Sequence, residues 1–179
     1  FEQIMHEKPD IVAFSCYIWN GEYVDKLGTL IKKVDENIQI LYGGPEVSFD
    51  CRKFLLSSAG DFVIEGEGEE TFREFLKWKL KNGFDKKDIL VKGLYSKTQN
   101  NEILFGGERE AMDMNTLIFP YKKDDDLSNK IVYYEASRGC PFNCKYCLSS
   151  TIKGVHFLDV NRVKKELKFF VDKKVTIVK

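Results

Sequence analysis

Over its first eighty residues the chain switches repeatedly between two hydrophobic periodicities, and that switching narrows it to one class of fold. Ile11 to Tyr17 is an unbroken apolar run, the pattern of a strand buried on both faces. From Glu22 to Val34 the apolar residues fall at Tyr23, Val24, Leu27, Leu30, Ile31 and Val34, which describes a one-sided helix. A short strand over Ile38 to Tyr42 follows, then a break at Gly43-Gly44-Pro45. Ser48 is placed to cap a helix through Phe54-Leu55-Leu56. Asp61 to Ile64 reads as a third strand, closed by Glu65-Gly66-Glu67-Gly68-Glu69. A helix carrying Phe72, Phe75, Leu76 and Leu80 then runs to Gly83. Strand–helix alternation at this spacing means βαβ units and a parallel, Rossmann-like sheet. Right-handed crossovers bring the strand C-termini to one edge, where open α/β sheets bind ligands. Tyr17-Ile18-Trp19-Asn20, Gly43-Gly44-Pro45 and Gly66-Glu67-Gly68 are predicted to line that edge, with Trp19 the aromatic best placed to touch a ligand.

The pattern changes after Gly83. Leu94 to Lys97 and Ile103 to Phe105 flank the polar Gln99-Asn100-Asn101, the mark of a β-hairpin. Residues 106–130 have little apolar periodicity, and their charge run, Lys122 to Asp126, reads as a solvated linker. Alternation restarts with an apolar strand over Ile131 to Ala136. A helix from about Asp159, with Val160, Val163, Leu167, Phe170 and Val171 apolar, leads to a strand at Val175 to Val178. The expected division is an α/β domain over 1–82, hairpin and linker over 83–130, and the start of a second domain over 131–179.

Between that strand and helix lies Arg138-Gly139-Cys140-Pro141-Phe142-Asn143-Cys144-Lys145-Tyr146-Cys147, a C-x3-C-x2-C series. Three thiolates on one tight loop can converge on one metal centre. A cubane iron–sulfur cluster usually takes four cysteines, so three leave one iron open to an exogenous ligand. Structural zinc sites want four protein ligands; the nearest fourth candidate is His156, nine residues beyond Cys147. Cys16 and Cys51 fall in a strand-like and a helix-like segment and read as packing residues rather than a disulfide. The 28 basic and 28 acidic residues give zero net charge, which offers nucleic acid no general attraction. No apolar stretch approaches the ~20 residues of a membrane span.

At these cysteines the chain resembles the radical S-adenosylmethionine (SAM) enzymes, and upstream it resembles the members that carry a cobalamin-binding domain. The matching elements are Pro9 to Ser15, Tyr42-Gly43-Gly44-Pro45-Glu46, Gly66-Glu67-Gly68-Glu69 and Glu135 to Pro141, in that order. The resemblance implies a [4Fe–4S] cluster on Cys140, Cys144 and Cys147, with SAM on the open iron and Tyr146 near its adenine. It implies 5′-deoxyadenosyl-radical chemistry, with methyl transfer through cobalamin as one form of it. Ser15 and Gly43-Gly44 would flank the cobalamin nucleotide tail, since glycine lets backbone approach a flat ring closely. The Asp-x-His-x-x-Gly motif that supplies a lower cobalt ligand in many cobalamin proteins is absent.

The fold implied is a cobalamin-binding-like sheet whose first strand is missing, then a hairpin and linker, then the first βα unit of a truncated β/α barrel. An incomplete pocket of that kind should hold cobalamin weakly. An oxygen-sensitive cluster beside free thiols implies a reducing cytoplasm, and a flavodoxin- or ferredoxin-type electron donor. The small-molecule substrate is not legible. The unreceived apolar face of the last unit is expected to dock on the hairpin, on the first sheet or on a second copy, as a dimer, with the cysteine loop left exposed. Two other readings stand beside this one: a cofactor-free α/β binding or regulatory module, and a zinc protein.

Overall fold

The computed structural model describes residues 1–85, 88–142, 144–147 and 154–179. The chain divides into two compact units, Phe1–Glu110 and Ala111–Lys179. The first is built from α1 (Glu2–Glu7), β1 (Ile11–Ser15), α2 (Gly21–Val34), β2 (Gln39–Gly43), α3 (Cys51–Ser57), β3 (Phe62–Ile64), α4 (Glu69–Asn82), β4 (Leu94–Lys97) and β5 (Ile103–Phe105). The five strands form one sheet in the order β1-β2-β3-β4-β5. β1, β2 and β3 are parallel to one another, as the alternation predicts. The hairpin β4–β5 continues the same sheet, antiparallel to β3. Arg109 fastens the end of this unit to α4, through Thr71 at 2.9 Å and the Glu74 carboxylate.

Two cores explain why β2 is apolar without interruption. Ile40 and Tyr42 face a cluster that includes Ile31 of α2 and Cys51 and Leu55 of α3. Leu41 points the other way, into a cluster with Phe62, Ile64 and Phe75 of α4. The strand pleat sends alternate residues to opposite faces, so a strand covered on both must be apolar at every position. Tyr42 is fully buried, and a Cβ on Gly28 of α2 would lie 2.3 Å from its hydroxyl. Only a glycine there lets α2 settle onto the strand. The helices bury narrower stripes than their sequences suggest. On α2, Ile31 is buried, whereas Tyr23, Leu30 and Val34 are exposed; on α4, Phe75 is buried and Leu80 exposed. Lys79 takes a core position there, its ammonium bonded to Gln39 Oε1 and the Phe84 carbonyl and set over the Phe62 ring.

Two local expectations are corrected. α3 is capped by Asp50, whose carboxylate accepts from Lys53 N, and not by Ser48. The strand expected over Ile131 to Ala136 is reduced to β6 (Ile131–Val132). The Tyr121 hydroxyl occupies the ladder position beside it, donating to Tyr133 O and accepting from Tyr133 N.

The second unit holds a 3-10 turn (Met114–Thr116), β6, β7 (Ser137–Cys140), β8 (Gly154–Phe157), α5 (Val160–Asp172) and β9 (Ile177–Val178). β6 and β9 pair in parallel across α5, a βαβ unit. The apolar face of α5 finds packing within its own unit. Phe170 packs with Leu127 and Val132, against Phe119, Tyr121 and Tyr134. The stretch read as a solvated linker therefore supplies much of this core, through aromatics too widely spaced to form a periodic pattern. Arg162 ties α5 to the 3-10 turn by donating to the carbonyls of Asn115 and Leu117 at 2.7 and 2.6 Å. Glu166, buried where Leu167 was expected, joins Arg162 at 2.7 Å and accepts from the Tyr134 hydroxyl at 2.8 Å.

Candidate functional site

The C-terminal edge of the parallel strands is one bonded frame. β1 and β2 run in register to Ser15 opposite Gly43, and Cys16 N donates to Gly43 O at 2.7 Å. Gly44 then turns with φ 101°, and Glu46 N donates back to Cys16 O at 3.2 Å. A Cβ on Gly44 would sit 2.7 Å from Cys16 O and 2.9 Å from Cys16 N. This glycine is required twice, for its dihedral and for the backbone approach. Ser15 and the glycine pair are thus brought together, as expected. Ser15 is exposed, and β1 is the outer strand of the sheet.

Asn20 and Ser48 hold the frame, in roles that the sequence did not indicate. Asn20 Oδ1 accepts from Tyr17 N at 2.7 Å while its Nδ2 donates to Ser15 O at 3.0 Å, pinning the loop after β1. An Asn just before a helix signals a cap, but this side chain serves the preceding loop instead. The pinned loop exposes Ile18 and Trp19, with Trp19 stacked on Tyr17 at 4.7 Å between ring centroids. Ser48 Oγ donates to Gly44 O at 2.9 Å and accepts from Gly66 N at 3.1 Å. Of the acidic residues after β3, Glu69 and Glu70 lie in the first turn of α4, where carboxylates favour the helix dipole. Glu65 faces inward, and burial followed by the charge of Glu108 raises its carboxyl above the usual range.

A polar recess of about 730 Å³ opens at the other end of the strands, among Asp10, Lys32, Gln39, Asp61, Lys97 and Asn101. Its cations are engaged by the protein: Lys32 pairs with Asp61 at 2.6 Å, and Lys97 donates to Ser58 O at 2.9 Å. It therefore makes little demand for a ligand.

In the second unit the cysteine series begins on a strand that the sequence did not betray. Cys140 ends β7, which pairs antiparallel with β8 and puts Cys140 opposite Gly154. The hairpin closes the base of the loop, and Gly154-Val155-His156-Phe157 was too short a run to announce it. Cys144 and Cys147 flank a turn in which Cys147 N donates to Cys144 O at 3.0 Å. Asn143 lies outside the described residues. None of the five cysteines is in a disulfide; these three are partly exposed, whereas Cys16 and Cys51 are buried. Tyr146 is 93% exposed. Arg138 folds back onto Glu135, with its Nε and Nη2 donating at 3.0 and 2.7 Å.

Among the described residues no three His, Cys, Asp or Glu side chains are grouped closely enough to hold a metal ion. The donor chemistry nonetheless suits iron: three partly exposed cysteines on one short loop. Thiol sites are commonly drawn together by the metal itself, because ligation supplies the energy that orders the loop. At the sheet edge, Gly43 and Gly44 present backbone without side-chain bulk beside the exposed Ser15, which suits a flat ring.

The comparisons with known proteins bear on both sites. Residues 1–76 match the B12 binding domain family. The chain is 28% identical over 179 aligned residues to the 2-(S-pantetheinyl)-carbapenam-3-carboxylate methyltransferase of Streptantibioticus cattleyicolor, covering 92% of this chain and 26% of the relative. It is 27% identical to the cobalamin-dependent radical SAM methyltransferase TokK of Streptomyces tokunonensis, covering 91% of this chain and 26% of that protein. The chain thus spans about a quarter of the length of these relatives. Among solved structures, the cobalamin-dependent SAM radical enzyme OxsB, with aqua-cobalamin and SAM bound, superposes with a TM-score of 0.74 at 22% identity. That match covers 98% of this chain and 25% of OxsB, and it carries the fold. Residues 1–76 thus match the B12 binding domain family, and the chain as a whole is similar to part of the cobalamin-dependent radical SAM methyltransferase TokK.

Proposed function

We propose that the chain is the cobalamin-binding unit and the first cluster-bearing segment of a radical SAM methyltransferase. The observation that carries the reading is the match of residues 1–76 to the B12 binding domain family, with Ser15 and Gly43-Gly44 paired at the C-terminal edge of that unit's parallel strands. Ser15 offers an exposed hydroxyl at the slot we assign to that edge, and Gly43-Gly44 would let the nucleotide tail lie against backbone. Asn20 holds the flanking loop so that little ordering remains when a ligand arrives, which is the usual source of affinity in a preformed site. Cys140, Cys144 and Cys147 would hold a [4Fe–4S] cluster, and Tyr146 would lie against SAM. When bound, these groups supply one electron for SAM cleavage to a 5′-deoxyadenosyl radical and, through cobalamin, a methyl carrier. A flavodoxin- or ferredoxin-type protein would deliver the electron.

Because β1 is the sheet's outer strand, the slot buries only part of a corrinoid, and good pockets bury most of their ligand. The dissociation constant for hydroxocobalamin should accordingly be weak, on the order of 100 µM. Titration followed by visible absorbance tests the first half of the proposal. Anaerobic reconstitution with iron and sulfide tests the second, where Cys144→Ala should lose the cluster absorbance and Cys51→Ala should keep it. Wild type that neither binds hydroxocobalamin at millimolar concentration nor takes up iron would sink the reading.

A further inference from the structure

The three loops at the ligand edge are joined unequally. The loops after β1 and β2 share backbone bonds, Cys16 N to Gly43 O and Glu46 N to Cys16 O, which any sequence of this fold could make. The hydroxyl of Ser48 joins the loop after β3 to the loop after β2. Its proton goes to Gly44 O, and its lone pair accepts the N–H of Gly66, eighteen residues away. Gly66 has φ 69°, and a Cβ there would meet nothing within 4 Å. Open space thus lies over the residue that Ser48 tethers, and the tether's other end is the glycine whose turn packs on the Cys16 backbone.

We propose that Ser48 is a positioning residue for cobalamin, holding the loop after β3 to the Gly44 turn so that a slot at this edge exists before the cofactor enters. The inference rests on the cobalamin reading above. A hydroxyl suits this place because it donates and accepts at once, and both partners are main-chain groups of tight turns. Alanine leaves Gly44 O and Gly66 N without their shared partner, and the third loop then samples positions in which the slot is not formed. A site competent for only a fraction of the time binds more weakly by that fraction.

The test compares wild type, Ser48→Ala and Ser48→Thr in three measurements. Hydroxocobalamin titration should show Ser48→Ala weakened about five- to tenfold, the scale of one lost neutral hydrogen bond, and Ser48→Thr within about twofold of wild type. Amide exchange at Gly66 should accelerate about tenfold in the alanine variant and return in the threonine variant. The thermal midpoint controls for a merely structural role. Equal affinity in wild type and Ser48→Ala would overturn the inference while leaving the cobalamin reading intact, and so would unchanged Gly66 exchange. A parallel loss of affinity in Ser48→Thr, or a lowered midpoint with unchanged affinity, would also overturn it. If wild type itself fails to bind, the cobalamin reading falls, and this inference falls with it.

Discussion

Cys16 and Cys51 share one core, and their burial sets them apart from the other three cysteines. Desolvation pushes the Cys16 thiol up to about 11 and the Cys51 thiol to about 12, from an ordinary value of 9.0. The reactive form of a thiol is the thiolate, so these two should resist alkylation at neutral pH. Peptide mapping after iodoacetamide treatment of the native protein should find label on Cys140, Cys144 and Cys147, and label on the buried pair only after unfolding. The same shifts set a pH dependence. Between about pH 9 and 11 the unfolded chain releases protons that the folded chain retains, so stability is full below pH 9 and declines above it. Tyr95, raised to about 12 mainly by burial, adds to the decline at its upper end. Urea midpoints that stay level from pH 8 to pH 10.5 would contradict this. At Gly44, alanine would need both a left-handed dihedral and space already held by Cys16 backbone. Gly44→Ala should cost about 2–4 kcal/mol in urea unfolding and remove cobalamin binding.

At the scale of elements, β6 pairs with β9 along one edge, and a side chain holds the other. Tyr121 offers one hydroxyl to both the N–H and the carbonyl of Tyr133, which closes that edge of the strand. Tyr121→Phe keeps the ring packed on Phe170 and frees both main-chain groups. It should destabilise the second unit by about 1–2 kcal/mol, with faster amide exchange at Tyr133 as the local sign. The β7–β8 hairpin brings both ends of the cysteine loop together, which shortens the search the thiols must make. The helices were readable where a face was strongly patterned, and misread at their margins. On α5, Glu166 is buried because Arg162 and Tyr134 satisfy its carboxylate. Apolar periodicity alone cannot announce a charged residue that is paid for by its partners.

At the scale of the whole molecule, each unit has its own core, and Arg109 clasps the first one one residue before the division at Glu110. Residues 1–110 expressed alone should therefore unfold in a single cooperative urea transition, and Arg109→Ala should lower its midpoint. A gradual, non-cooperative melt of that piece would contradict the division. No described helix is long and apolar enough to cross a membrane.

The sequence by itself determined the parallel sheet, its three strands, the Gly43-Gly44 turn and the cysteine series. All of these rest on local pattern: apolar period, glycine placement and residue spacing are written in consecutive positions. Only the tertiary structure decided that the hairpin extends the first sheet, that Phe119, Tyr121 and Leu127 receive α5, and that Ser48 serves the ligand edge instead of a helix. Each of those joins residues far apart along the chain. Such a contact depends on which surfaces remain uncovered after the local elements form, and no short window of sequence carries that information.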